Sequence, residues 1–330
     1  MAAAILLSFV LVLAGCGGEN NKASSSATTA PSASPQTDEQ EPALRTVRHS
    51  LGEIAIPANP QRIVVLNYMP IDHLLSLGIQ PVAVATMDGL NYPPYLKDRL
   101  QGAEPLGDGS EPNLEAILAA QPDLIIAHAG WHAEVYDSLS KIAPTVLQDF
   151  PSDKIEWFKE TAALFGKEAE AEEIVQAFKK KAEEAKNKLA EAGVNTQTVA
   201  IMRVRDKQLQ IFKIAEEHEG ELFGTENLLQ EWLGLSSPNT DGLEFNFGLA
   251  TLSWELMPEI DPDHIFMLTY PEQGSEAELK ELQNNVLWRN LKAVKNNHVH
   301  MAENSTWVAG NGMIGLNRVI DEVLEALIED

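Results

Sequence analysis

From Asp153 to Ala192 the chain reads as helix, with one break near Gly166. Trp157, Thr161, Leu164 and Phe165 recur at helical spacing before that glycine, and Ala171, Ile174, Val175 and Phe178 do so after it. Lys179 to Glu191 is laced with opposite charges at helix spacing, the mark of a solvated face. No sustained heptad points to a coiled-coil partner. A helical stretch of this length reads as a connector, because the regions on either side of it have a different rhythm.

Upstream, short β-rich runs alternate with helical spacing. Arg62–Leu66 is a strand, Met69–Leu77 a helix stopped by Gly78, and Pro81–Ala85 the next strand. Leu114–Ala120 is a helix with Asn113 placed to cap it, followed by a strand at Leu124–Ala127, a helix at Val135–Lys141 and a strand at Pro144–Leu147. Downstream the alternation resumes. Strands are expected at Val199–Val204, Gln208–Phe212, Ile265–Leu268 and His298–Met301. Helices are expected at Thr225–Leu233, Leu252–Met257, Glu276–Asn284 and Gly315–Ile328. The fold class is α/β, with an N-terminal lobe over 45–152, a helical connector over 153–192 and a C-terminal lobe over 193–330. No repeat is visible at the residue level.

The chain has 330 residues and a single cysteine, so no disulfide framework is possible. Acidic residues outnumber basic ones 49 to 24, for a formal net charge of -25, which disfavours nucleic acid as a partner. Ala2–Ala14 is the only long apolar run and is short for a membrane span. It reads as a signal peptide over 1–15, although no basic residue precedes its apolar core. Leu13-Ala14-Gly15-Cys16 resembles the lipobox of bacterial lipoproteins, which implies cleavage before Cys16 and a lipid on its thiol. The segment that follows, 16–44, is rich in Ser, Ala, Thr and Pro and reads as a flexible tether. The expected location is the extracytoplasmic face of a cell membrane.

Several stretches, in order, resemble one family. They are "RIVVLNYMPIDHLLSLGIQPVAV", "GDGSEPNLEAILAAQPDLIIAHAG", "YDSLSKIAPTV" and "WFKETAALFGKEAEAEEIVQAFKKKAEEAKNKL". Together they are similar to the substrate-binding lipoproteins of iron–siderophore and vitamin B12 ABC importers. The resemblance covers Arg45 to the end. It implies two Rossmann-like α/β lobes on a long helical backbone (a class III periplasmic binding protein), a monomer with ligand held between the lobes, and no catalysis. It also implies one acidic residue per lobe that docks on arginines of a permease dimer. Those fall on Glu115 in "NLE" and Glu255 in "LSWELMPEIDP", with Glu111 a competitor for the first role.

Ligands of α/β lobes collect beyond the C-terminal ends of strands. That rule selects Tyr68, Tyr92, Trp131, Arg203, Arg205, Tyr270 and Trp307 as candidate ligand contacts. Arg203 and Arg205 share a face if their strand is regular, and two guanidiniums side by side suit an anion. By the resemblance, an arginine here meets the anionic oxygens around ferric iron. The expected cargo is a ferric siderophore whose iron is already saturated, so no resident cofactor and no metal ligands are expected. Cobalamin, haem or a free divalent metal remain alternatives, the last through His128, His132, His298 and His300. A secreted enzyme is the remaining class, but no nucleophile elbow, H-E-x-x-H, P-loop or Cys–His pairing is present. Gly310-Asn-Gly-Met, ahead of the last helix, lacks the strand that a dinucleotide site requires.

Overall fold

The computed structural model describes residues 43–86, 94–149, 153–205, 207–214, 228–246, 248–269, 276–310 and 312–329. A hairpin of β1 (Leu44–His49) and β2 (Gly52–Pro57) opens the described chain. The N-terminal lobe is built on β3 (Ile63–Val65), β4 (Ala83–Thr86), β5 (Glu104–Asp108), β6 (Leu124–His128) and β7 (Thr145–Gln148). They pair in the order β5-β4-β3-β6-β7 and all run parallel. Strands buried on both faces read as unbroken apolar runs, as β3 and β6 do. The lobe's helices are α1 (Met69–Ser76), α2 (Leu114–Ala119), α3 (Ala129–His132) and α4 (Tyr136–Leu139), with a 3₁₀ segment at Pro94–Arg99.

The connector is α5 (Lys154–Leu164) and α6 (Glu168–Glu191). Asp153 caps α5 by accepting from the backbone N–H groups of Ile155 and Glu156. Gly166, at φ 65°, takes the left-handed turn between the two helices. One stripe of α6, comprising Ala171, Val175, Phe178, Ala182, Ala185 and Leu189, is buried.

The C-terminal lobe is built on β8 (Val199–Arg205), β9 (Gln208–Phe212), β10 (Leu249–Thr251), β11 (His264–Thr269) and β12 (Val299–Glu303). Their order is β10-β9-β8-β11-β12, with β8, β11 and β12 parallel and β9 antiparallel to both its neighbours. Its helices are α7 (Met257–Ile260), α8 (Glu276–Asn284), α9 (Val286–Asn290), α10 (Lys292–Lys295), α11 (Asn304–Ala309) and α12 (Met313–Leu324). One face of this sheet, carrying Val199, Ile201, Phe266 and Leu268, shares a core with the α6 stripe and with Met313, Leu316 and Ile320 of α12. The ion pairs Lys159–Glu172 (3.2 Å) and Lys181–Asp321 (2.7 Å) tie α5 to α6 and α6 to α12.

Helix α12 also packs against α1, so the last helix reaches back to the first lobe. The junction is polar and buried. Asp72 of α1, 1% exposed, accepts from the backbone N–H groups of Ile314 (3.0 Å) and Gly315 (2.8 Å) at the start of α12. It also accepts from the hydroxyls of Tyr95 and Ser76, each at 3.1 Å. A side chain at Gly312 would fall onto this carboxylate, which explains the glycine in Gly310-Asn-Gly-Met. Burial nonetheless holds the Asp72 carboxyl above its ordinary range, because desolvation outweighs these hydrogen bonds.

Candidate functional site

In each sheet the parallel strands end on the same side, and the candidate residues sit at those ends. Arg203 lies near the end of β8, the central strand of its sheet, facing Gln210 of β9 across one side and Leu268 of β11 across the other. Its Nε donates to Gln210 Oε1 at 2.6 Å, and its guanidinium lies 5.1 Å from the Phe212 ring centroid. A half-buried cation is therefore held from the side by an amide and from below by an aromatic face. The β8–β9 register is unbroken to Arg205↔Gln208, so Arg205 shares that face, but it is exposed. The structure thus separates the two arginines by environment: one is positioned, the other sits at the rim.

In the N-terminal lobe, β6 ends on His128, and Trp131 follows within α3. Trp131 is 45% exposed and meets the His128 ring edge-on at 5.1 Å. His132 is fully buried: its Nδ1 accepts from the His128 backbone N–H, and its Nε2 donates to the Gly109 carbonyl at 2.6 Å. Burial and the neighbouring His132 hold His128 down at about 4, so it is neutral at ordinary pH. Two amides at strand ends are buried with half their capacity unmet. Asn67, after β3, accepts from Met69 N–H through Oδ1 while its Nδ2 has no partner. Gln148, at the end of β7, donates to Thr161 while its Oε1 has none.

Two of the candidate ligand contacts are buried in the cores. Trp307 is 1% exposed inside α11, packs on Phe266 with ring centroids 4.5 Å apart and tilted, and donates from its indole to Glu322 at 2.6 Å. It is a core residue, because a helix, not a loop, follows β12 and turns that side chain inward. Tyr68 is 5% exposed and belongs to the core of the N-terminal lobe. Cys16, Tyr92 and Tyr270 lie outside the described residues. Glu115 is exposed in the first turn of α2, behind Asn113, whose Oδ1 accepts from Glu115 N–H and Ala116 N–H at 3.1 Å. Glu255 is exposed two residues before α7. The histidines do not form one site. His128 ends β6 and His132 ends α3, whereas His298 and His300 flank the start of β12 beside His264. Among the described residues, no group of three or more His, Cys, Asp or Glu side chains could hold a metal ion.

Gln210 and Phe212 are the supports that sequence reading does not single out. Their place beside Arg203 is a cross-strand relation, set by the antiparallel register of β8 and β9.

Two parallel-ended α/β lobes on a helical backbone, with an anion-suited arginine at the strand ends of one, define a two-lobed solute-binding protein. The sequence matches the Periplasmic binding protein family over residues 63–305, and the chain belongs to that family. It is a binding protein, not an enzyme. The chain is 31% identical to the "Probable siderophore-binding lipoprotein YfiY" of Bacillus subtilis, over 97% of this chain and 95% of that protein. It is 30% identical to the "Iron(3+)-hydroxamate-binding protein YxeB" of the same organism, over 98% and 95%. Among solved structures it is similar to Staphylococcus aureus SirA complexed with staphyloferrin B, at 29% identity and a TM-score of 0.68, covering 86% of this chain and 98% of that one.

Proposed function

We propose that this protein captures a ferric siderophore between its lobes and delivers it to the permease of an ABC importer, while a lipid on Cys16 holds it at the extracytoplasmic face of the membrane. Support comes from the relatives: one named for siderophore binding and one for iron(3+)-hydroxamate binding align with at least 97% of this chain. The observation that carries the cargo class is Arg203, a half-buried cation braced by Gln210 and Phe212 at a strand end. A braced guanidinium suits the anionic oxygens of a ferric chelate, and Arg205 adds positive charge at the rim. Trp131 offers an apolar wall to the organic part of the chelate, and Tyr92 and Tyr270 are further candidates for that role. Glu115 and Glu255, one on each lobe, are the residues proposed to meet basic groups of the permease.

Tryptophan fluorescence of the soluble body tests this. The panel is ferric citrate, a ferric hydroxamate, a ferric catecholate, haem, cobalamin and Zn²⁺. Saturable quenching by one ferric chelate, weakened about tenfold or more by Arg203→Ala, is the expected result. A response to haem or cobalamin alone would move the cargo to another class, and silence across the panel would overturn the iron assignment.

A further inference from the structure

The two sheets have the same strand order. Adding five to each strand number of β5-β4-β3-β6-β7 gives β10-β9-β8-β11-β12. In both lobes the chain leaves the edge strand, β5 or β10, and crosses through a short helix, α2 or α7, to the strand on the far side of the central one. Glu115 and Glu255 both lie on that crossover, the first in the first turn of α2 and the second two residues before α7.

Each crossover has two further properties in common. The first is exposed apolar surface. Nine large hydrophobic residues are exposed among the described residues, and three of them stand within three positions of these two glutamates: Leu114, Leu118 and Trp254. Leu118, at 60%, is one of the most exposed of the nine, and it shares a helix face with Leu114. The second is unneutralised charge. Segments 108–121 and 249–263 contain no Lys or Arg. Glu111, Glu115, Glu255 and Glu259 are exposed, and among the described residues none of them forms an ion pair. On the connector, Glu156, Glu170, Glu172 and Glu184 are each paired with a lysine.

We infer that Leu114 and Leu118 on one lobe and Trp254 on the other are apolar anchors for the permease, each seated in an apolar recess beside a basic residue of the partner. This rests on the docking reading given above and deepens it. Exposed ion pairs hold little by themselves, so the glutamates steer and align, while desolvation of the leucines and the tryptophan retains the complex. The basic character of the partner follows from charge complementarity with the four exposed glutamates, whose segments carry no Lys or Arg. Its apolar recesses follow from the placement of the three hydrophobic side chains.

The test has two stages and uses the full lipidated chain. A photo-crosslinking residue replaces Glu115 or Glu255 in intact cells, and the captured protein is identified. A multi-spanning ABC permease is expected. If no permease is captured at either position, the docking reading falls and this inference with it. The captured permease is then reconstituted in vesicles, and its ATPase is titrated with Leu118→Gln, Trp254→Gln, the double variant, and Glu115→Lys with Glu255→Lys. Each anchor variant should raise the half-saturating concentration about tenfold, the double variant more, and these losses should persist at high salt. The charge reversals should lose most of their effect at high salt. If the charge variants weaken stimulation but the anchor variants match the wild type, the docking reading stands and the anchors are overturned.

Discussion

The two lobes share a strand order but not a construction. In the N-terminal lobe β3, β4 and β5 are all parallel, and α1 bridges the first pair and covers the sheet. In the C-terminal lobe β8 turns straight back into antiparallel β9, so no helix of its own arises at that point. The face that α1 would cover is taken by α6 and α12 instead. Two consequences follow. The connector is part of the C-terminal lobe's core, and the N-terminal lobe joins that unit through α1, α5 and the Asp72 junction. The hairpin also places Gln210 and Phe212 beside Arg203, so the C-terminal lobe can brace a charge with neighbouring strands. The C-terminal strand ends of the N-terminal lobe are instead made of residues that lead into helices, such as Asn67 and His128.

If α6 belongs to the C-terminal core, Phe178→Ala should cost about 3–5 kcal/mol, the usual range for a fully buried Phe. Hydrogen exchange should then rise first in β8 and β11 and later in β3 and β6. Equal loss of protection in both sheets would break the comparison. Asp72→Ala should cost about 3 kcal/mol in urea unfolding, because it orphans two backbone N–H groups and the Tyr95 hydroxyl in a buried junction. Gly312→Ala should be destabilising for the same junction, through its clash with the Asp72 carboxylate.

Next in size is Gln210→Leu. It should weaken binding of the ferric chelate about threefold to tenfold by loosening Arg203, with the unfolding midpoint little changed. Phe212→Leu should act in the same direction and more weakly. Unchanged affinity in both would mean that the hairpin does not position the cation.

The smallest effect is acid sensitivity, and each lobe has one histidine held far below its ordinary value. His128 in β6 and His264 in the corresponding β11 are both held at about 4 by burial and neighbouring histidines, against an ordinary 6.5. Between those values the unfolded chain binds more protons than the folded one, so stability falls as pH drops from 6.5 and levels off below about 4. His128→Gln and His264→Gln should each flatten part of that slope, by about 1 kcal/mol once water near the rings is allowed for. Asp72 has the opposite sign. Its raised carboxyl favours the folded state as pH falls toward its ordinary range, which tempers the loss. His128 is at the C-terminal end of its strand, where the proposed cargo would sit, and His264 is at the start of its own. Cargo should therefore shift the titration of His128 and leave that of His264 in place, as NMR of labelled histidine would read.

Much of the architecture was legible because it is local. Helical periodicity, the caps at Asn113 and Asp153 and the turn at Gly166 are all decided within a few residues. The strands that sequence reading missed are β1, β2, β5 and β10, which are edge or hairpin strands with partly exposed, mixed composition. Their pairing supplies the order that their residues do not advertise. Trp307 and Tyr68 illustrate the same limit for single side chains, since an aromatic residue after a strand suits a cleft wall or a core equally well.

The amino-acid sequence by itself determined the alternating α/β character, the helical connector, the family resemblance and the arginine pair, because periodicity, charge and motif order are properties of neighbours along the chain. Only the tertiary structure decided which arginine is braced, that Asp72 joins α1 to α12, and that Glu115 and Glu255 lie on corresponding crossovers of two sheets with one strand order. Each of these depends on residues far apart in sequence, brought together by strand pairing and helix packing, and no local pattern encodes such a meeting.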